Sequence, residues 1–433
     1  VDLGMGFDVV VVGGGVNGLF TALDLSLRGF KVLLLERGSV GSGTSGRMHG
    51  LLHSGARYVV TDPRAAVECI EENRIMARIA PHAIEDTGGY FVAIDKDDLD
   101  FQEEFISGLR RANIDFRIVD VGEALREEPN LNPEVKAVVE VLDKVVFARD
   151  LLFGVAISAY REGALIAQNM EVVGFELNGD KIASIKVKDG YTNDVRRVES
   201  DVVVNAAGPW AGHVASLAGV AVDVMPTMGV MVVYQRRLTK RVINRMRKPS
   251  DGDILVPYGS TSIMGTTAAI IEDPDSVSIS DEDVEFLTSE GSQMVPLLAK
   301  INVIRAYASV RPLIKIPGVD TREATRDFMV IKHEKPSNMV TVIGGKFTTG
   351  RLVGERLSDE VAKMLGSAKP SITRDYKLFG ANLYEDLGEL DGSLRSLALS
   401  FRGSIDEDRG RVAVLTLLMS EVARDSRRRL GWL

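Results

Sequence analysis

The chain has 433 residues, 45% of them apolar and 26% charged, with a formal net charge of −9 at pH 7. That length exceeds one compact core and predicts two interleaved domains with a short appendage, while the ordinary composition excludes a disordered chain. The acidic balance excludes a general polyanion binder, since nucleic-acid affinity rests on clustered positive charge. A single cysteine, Cys69, excludes an internal disulfide, a thiol-held metal cluster or a dithiol redox pair within this sequence. No signal-peptide pattern is visible in its first residues, and no apolar run approaches the roughly 18 residues a membrane span needs. A cytoplasmic protein is expected, peripheral to the inner face of the membrane only through partners.

In chain order, the first forty residues carry the clearest pattern. "FDVVVV" is a short apolar, β-branched run of the kind that forms a parallel strand buried on both faces. "GGGVNG" follows, then "LFTALDLSLRG" with helical spacing, then "KVLLLE", a second buried strand ending in Glu36. Gly13, Gly15 and Gly18 occupy the G-x-G-x-x-G places, with Gly14 between them, and an acid stands 18 residues after the last glycine. Such glycines allow a tight turn and close approach of a pyrophosphate to a helix N-terminus. Glu36 is placed to accept from ribose hydroxyls.

Further along, helices are predicted at 64–80, 99–113, 123–128 and 149–162, with a strand at 90–94. Strands alternate through "ALIAQNMEVVGFELNGDKIASIKVKD", with "NGD" as the hairpin turn. "DVVVNAAGPWAG" is a buried strand running into a glycine turn and helix. Residues 222–318 read as strand-rich with one helix near 281–299, and "MVTVIGGKFTTGRLVGERLSDEVAKML" returns to strand, turn and helix. From about Asp375 the pattern is helical, ending in "ARDSRRRLGWL". A solvated basic helix end is the expectation for that charge run.

Residues 8–18, 202–212 and 340–350 thus share one grammar of apolar strand, glycine turn and helix. Ligands collect beyond the carboxyl ends of such strands, so one long ligand touched from three places is the economical explanation. "HGLLHSGARY", residues 49–58, holds two of only five histidines, together with an arginine, a tyrosine and two glycines. It reads as a loop folded against something polar. Arg311 in "SVRPL" reads by itself as a surface arginine before a proline, and His82, His213 and His333 show no partner spacing.

Together "GGGVNG", "GTSGRMHGLLHSGARY", "VVVNAAGPWAG", "RKPSDGDILVP", "GTT", "RAYASVRPL" and "GGKFTTGRL" resemble the FAD-dependent glycerol-3-phosphate dehydrogenases, most of all the catalytic A subunit of the anaerobic enzyme. The resemblance covers roughly residues 7–370 in the same order. It implies an α/β fold: an FAD-binding Rossmann-like domain of the D-amino acid oxidase and glycine oxidase type (1–80, 145–220 and 325–370), interleaved with a β-rich α+β substrate domain (81–144 and 221–324). Residues 371–433 would form a small helical C-terminal appendage.

The resemblance also assigns residues. Thr44, Ser45, His49, Gly50 and Leu51 would run along the FAD, joined by Arg37, Ala207, Gly208, Gly345 and Thr348; His49 has no counterpart in the aerobic relatives. His53, Arg57 and Tyr58 would face the substrate. Arg57 and Arg311 would grip a phosphate, to which guanidinium offers paired hydrogen bonds at any working pH. Lys346 would stabilise negative charge on reduced flavin. The implied reaction is oxidation of sn-glycerol 3-phosphate to dihydroxyacetone phosphate, the C2 hydrogen leaving as hydride to flavin N5 and the hydroxyl proton going to a base, for which His53 is the first candidate. A quinone, reached directly or through electron-transfer subunits, would reoxidise the flavin. In that family the catalytic chain of the anaerobic enzyme continues into a cysteine-bearing module resembling a [2Fe–2S] ferredoxin-like domain. The tail here has no thiol, so the electron route stays open. The alternatives are a glycerophosphate oxidase using oxygen, an amine or amino-acid oxidase of the same fold, and a flavin-holding regulatory subunit.

Overall fold

The computed structural model describes residues 2–314, 327–382, 386 and 407–432. The expected boundary at 324/325 and much of the expected C-terminal appendage lie outside the described residues. The first strand, Asp2–Val12, lies between Val32–Glu36 and Val195–Asn205, both parallel to it. Leu165–Gln168 extends the parallel set beyond Val32–Glu36, and Met339–Gly344 extends it beyond Val195–Asn205. Both faces of this sheet are covered, so its strands are uninterrupted apolar runs: Val9, Val10 and Val11 are fully buried. "NGD" does turn a hairpin, joining Met170–Asn178 to Lys181–Asp189, which pairs antiparallel with the start of Val195–Asn205.

Three helices pack on one face: Val16–Leu27, Ala148–Arg161 and Gly350–Met364. The first and last cross closely because Gly350 and Gly354 carry no side chain. A Cβ on Gly350 would stand 2.4 Å from a Val16 methyl, and one on Gly354 would stand 2.7 Å from the Phe20 Cβ. The "TTGRLVG" run is therefore a packing device that brings its preceding turn to the tip of the first strand.

A second, nine-stranded sheet draws Gly89–Ala93, Phe116–Val119 and Ala137–Val141 together with strands from Val224–Tyr234 onward. Its longest pair is Val224–Tyr234 with Val303–Ile314, which sets Arg311 opposite Thr227. A three-stranded sheet of Leu51–Leu52, Lys144–Val146 and Ile84–Glu85 carries the histidine loop.

Two expectations need correction. The helix expected at 281–299 spans Asp281–Met294, opened by a Ser280–Asp283 capping box. Pro296 forces Val295 into extended backbone, and the chain resumes as a short 3-10 turn, Pro296–Lys300. The basic C-terminal end is not solvated throughout. Helix Glu407–Arg429 packs on Ala148–Arg161 and Leu165–Gln168, the Ser426 hydroxyl accepts the Ile166 N–H, and buried Arg427 pairs with Asp189. Leu430 and Trp432 enter the core with Phe7 and Leu33. No helix of the described residues is long and apolar enough to cross a membrane.

Candidate active site

A cavity of about 600 Å³ opens where the three strand–turn–helix segments meet the second sheet. All of the predicted residues line it except Gly14, Gly18, Gly50 and Thr348, which stand behind the wall. The first turn is tight enough to require glycine. Gly13 has φ +111°, a Cβ there would lie 2.5 Å from the Ala206 carbonyl oxygen, and one on Gly18 would lie 2.0 Å from the Gly13 oxygen. No side chain of the N-cap residue Gly15 caps helix Val16–Leu27. The Ser45 hydroxyl, from the loop Gly38–Leu51, accepts the Val16 N–H at 3.0 Å. The Asn17 side-chain oxygen, also at this helix start, is buried without a partner among the described residues.

Glu36 ends the second strand and is only partly buried. Its carboxylate accepts the N–H of Gly14 and of Gly38, both at 2.7 Å, and closes the turn. Arg37 stacks over the Trp210 ring at 4.7 Å and pairs with Asp275, which also accepts the Trp210 indole N–H. That cluster joins the second strand, the Gly208 turn and the loop 271–280 across the cavity mouth. Sequence reasoning missed Asp275. The chain has two tryptophans, and the one in "GPWAG" was the available signal.

At the other end the histidine loop supplies His49, His53, Arg57 and Tyr58. The His53 and Tyr58 rings lie 5.3 Å apart and His49 meets His53 edge-on at 5.9 Å. His49 Nδ1 accepts the Leu51 N–H, so that nitrogen carries no proton. The Lys346 ammonium sits 4.8 Å above the Tyr58 ring centre, a cation–π contact. Arg57 is nearly buried. One of its terminal nitrogens, Nη2, donates to the Ser250 carbonyl and to Asp253, both at 2.9 Å, while Nη1 is buried without a partner among the described residues. Asp253 also binds Arg247, itself paired with Glu290. Arg311 donates to the Thr267 carbonyl. Gly50, at φ +90°, packs under Tyr258, and Thr44 donates to the Val310 carbonyl.

The model for the DAO family, FAD dependent oxidoreductases, matches residues 8–360. The chain belongs to that family. It is 38% identical over 380 residues to the A subunit of the anaerobic glycerol-3-phosphate dehydrogenase of Escherichia coli K12, covering 86% of this chain and 70% of that protein. It is 38% identical over 405 residues to the A1 subunit of the same enzyme from Haloferax volcanii, covering 90% and 69%. The fold matches that of a glycerol-3-phosphate dehydrogenase from Bacillus halodurans complexed with FAD at a TM-score of 0.71, with 22% identity over 97% of this chain and 77% of that one. The site fits such a cofactor: a glycine-walled cradle, a helix start with an orphaned Asn17 oxygen, and the cationic groups Arg57, Arg311 and Lys346 all face one cavity.

Proposed function

We propose that the protein oxidises sn-glycerol 3-phosphate to dihydroxyacetone phosphate. The observation that carries this reading is that Arg57, Arg311, Lys346 and His53 all line one glycine-walled cavity. The names of its 38%-identical relatives support it. Bound FAD supplies the two-electron acceptor for the C2 hydrogen. Arg57 would grip the phosphate with its unpartnered Nη1, and Arg311 would share that grip and favour negative charge at the C2 oxygen. His53 would take the proton of the C2 hydroxyl, a task suited to an imidazole. Lys346 would hold a positive charge beside the reacting centre. Gly13, Gly15, Glu36, Ser45 and Ala207 would hold the nucleotide half of the cofactor.

In this reading the mainly parallel sheet would be the core of the cofactor domain and the nine-stranded sheet that of the substrate domain. Electrons would leave to a quinone, directly or through partner proteins, in keeping with relatives that are named as components of a larger enzyme. Such partners would also account for a place at the inner face of the membrane. Anaerobic addition of glycerol 3-phosphate to the yellow protein should bleach the flavin absorbance within one turnover. A spectrum unchanged by glycerol 3-phosphate but bleached by an amino acid would overturn the assignment.

A further inference from the structure

We propose that Thr348 and Asn73 are positioning residues that fix His53 by gripping its backbone from both sides. This rests on the reading of His53 as the proton acceptor. The Thr348 hydroxyl oxygen accepts the His53 N–H at 3.1 Å across 295 residues of sequence. The Asn73 amide donates to the His53 carbonyl at 3.2 Å and to the Leu52 and Leu142 carbonyls. One residue on, the Asp143 carboxylate accepts the Ser54 N–H at 2.7 Å. Thr348 and Asn73 are fully buried and Asp143 nearly so. The loop is held by three buried polar side chains from three other segments.

The grip forms a closed ring. Thr348 lies in the turn that carries Lys346 at its start and runs into helix Gly350–Met364, where Arg351 is buried. Arg351 makes a two-pronged contact with Glu72, the neighbour of Asn73 on helix Pro63–Ile79. His53, Thr348, Arg351, Glu72 and Asn73 therefore close on one another, and the turn bearing Lys346 is registered against the loop bearing His53. A proton acceptor moved by about 1 Å loses roughly a hundredfold in rate, so rigidity at this point has a direct kinetic reading. Thr348, which the sequence suggested as a cofactor contact, acts here on the protein side of the wall.

The test compares Thr348→Val, which keeps the shape and loses the acceptor, with Thr348→Ser, which keeps the hydroxyl. Anaerobic stopped-flow reduction of the bound flavin by glycerol 3-phosphate gives the limiting rate and the substrate Kd separately. The expected result for Thr348→Val is a limiting rate lower by about tenfold or more with Kd within about twofold of wild type and full flavin content, and Thr348→Ser should restore most of the rate. In a His53→Gln background Thr348→Val should slow reduction no further. Wild-type rates in Thr348→Val, or an equal further loss in the His53→Gln background, would overturn the positioning role. Wild-type reduction by His53→Gln alone would instead overturn the base assignment, and the positioning role with it. Should Thr348→Val fail to fold, Asn73→Ala tests the other side of the grip by the same two readouts.

Discussion

Substituting Arg57 by lysine separates charge from geometry in the proposed phosphate grip. Arg57 Nη2 is committed to the Ser250 carbonyl and to Asp253, while Nη1 is buried and unpartnered among the described residues. Lysine can keep the ion pair with fully buried Asp253, but its three N–H donors radiate from one nitrogen, so it lacks the second, separate nitrogen with which the planar guanidinium fork could bind a phosphate as well. Alanine would be the poorer choice, because stripping a partner from a buried carboxylate costs about 3–5 kcal/mol of stability and mixes folding with function. A charge-assisted hydrogen bond contributes about 1.5–3 kcal/mol, which corresponds to roughly ten- to a hundredfold in kcat/KM. That loss should appear with glycerol 3-phosphate and nearly vanish with glycerol, which offers no phosphate. Steady-state kinetics with an artificial electron acceptor measure both. A lysine variant that loses the same factor on both alcohols would refute the argument, since the contact would then not be to phosphate.

Three further outcomes are expected. Gly13→Ala should yield protein without flavin colour, because the added methyl would meet the Ala206 oxygen at 2.5 Å in a backbone at φ +111°; a fully loaded yellow variant would show the turn to be slack. Asp275→Ala should speed FAD release by about two- to fivefold, the scale of a half-exposed ion pair, with little change in Tm; recovery of flavin fluorescence after dilution measures it, and unchanged release would remove Asp275 from the cavity mouth. Burial holds the His82 imidazole down to about 4, outweighing an opposing pull from the Asp150 backbone. An unfolded histidine titrates near 6.5, so below that pH the unfolded chain binds a proton that the native chain refuses, and stability falls from pH 6.5 toward 4 by up to about 3 kcal/mol. His82→Leu should flatten this acid limb in urea unfolding at pH 5 relative to pH 8, and an unchanged slope would place the acid sensitivity in other groups.

Features that local chemistry dictates were readable in the sequence. The first strand, its glycine turn and the following helix carry their own local pattern within thirty residues, and so does the "NGD" hairpin. The helix after Ser280 was overextended because the apolar pattern runs on through Leu297 and Leu298, whereas Pro296 removes a donor and forbids the helical backbone before it. The C-terminal arginines look alike in sequence, yet Arg427 is buried on Asp189 while Arg428 is exposed. Only the position of Met170–Asp189, more than two hundred residues earlier, decides which one turns inward.

The same distinction runs through the site. Arg57, Arg311, Lys346 and His53 were nameable before any coordinates through the family resemblance that their motifs carry, whereas Arg311 by its own neighbours reads as a surface arginine before a proline. Thr348, Asn73 and Asp253 are common residue types that make their hydrogen bonds in buried places, and sequence gives no measure of burial. Thr348 sits within a motif full of glycines, where contact with a ligand is the natural first reading. Its observed partner is a backbone N–H 295 positions away. A group that stabilises the transition state must be held as well as present, and the side chains that hold it are recognisable only once the fold has closed around them. For this chain the grip on His53 and Ser54 is drawn from helix Pro63–Ile79, the segment before Lys144 and the turn before Gly350, which ties the candidate base to the strand Lys144–Val146 and to the turn after Met339–Gly344 at once.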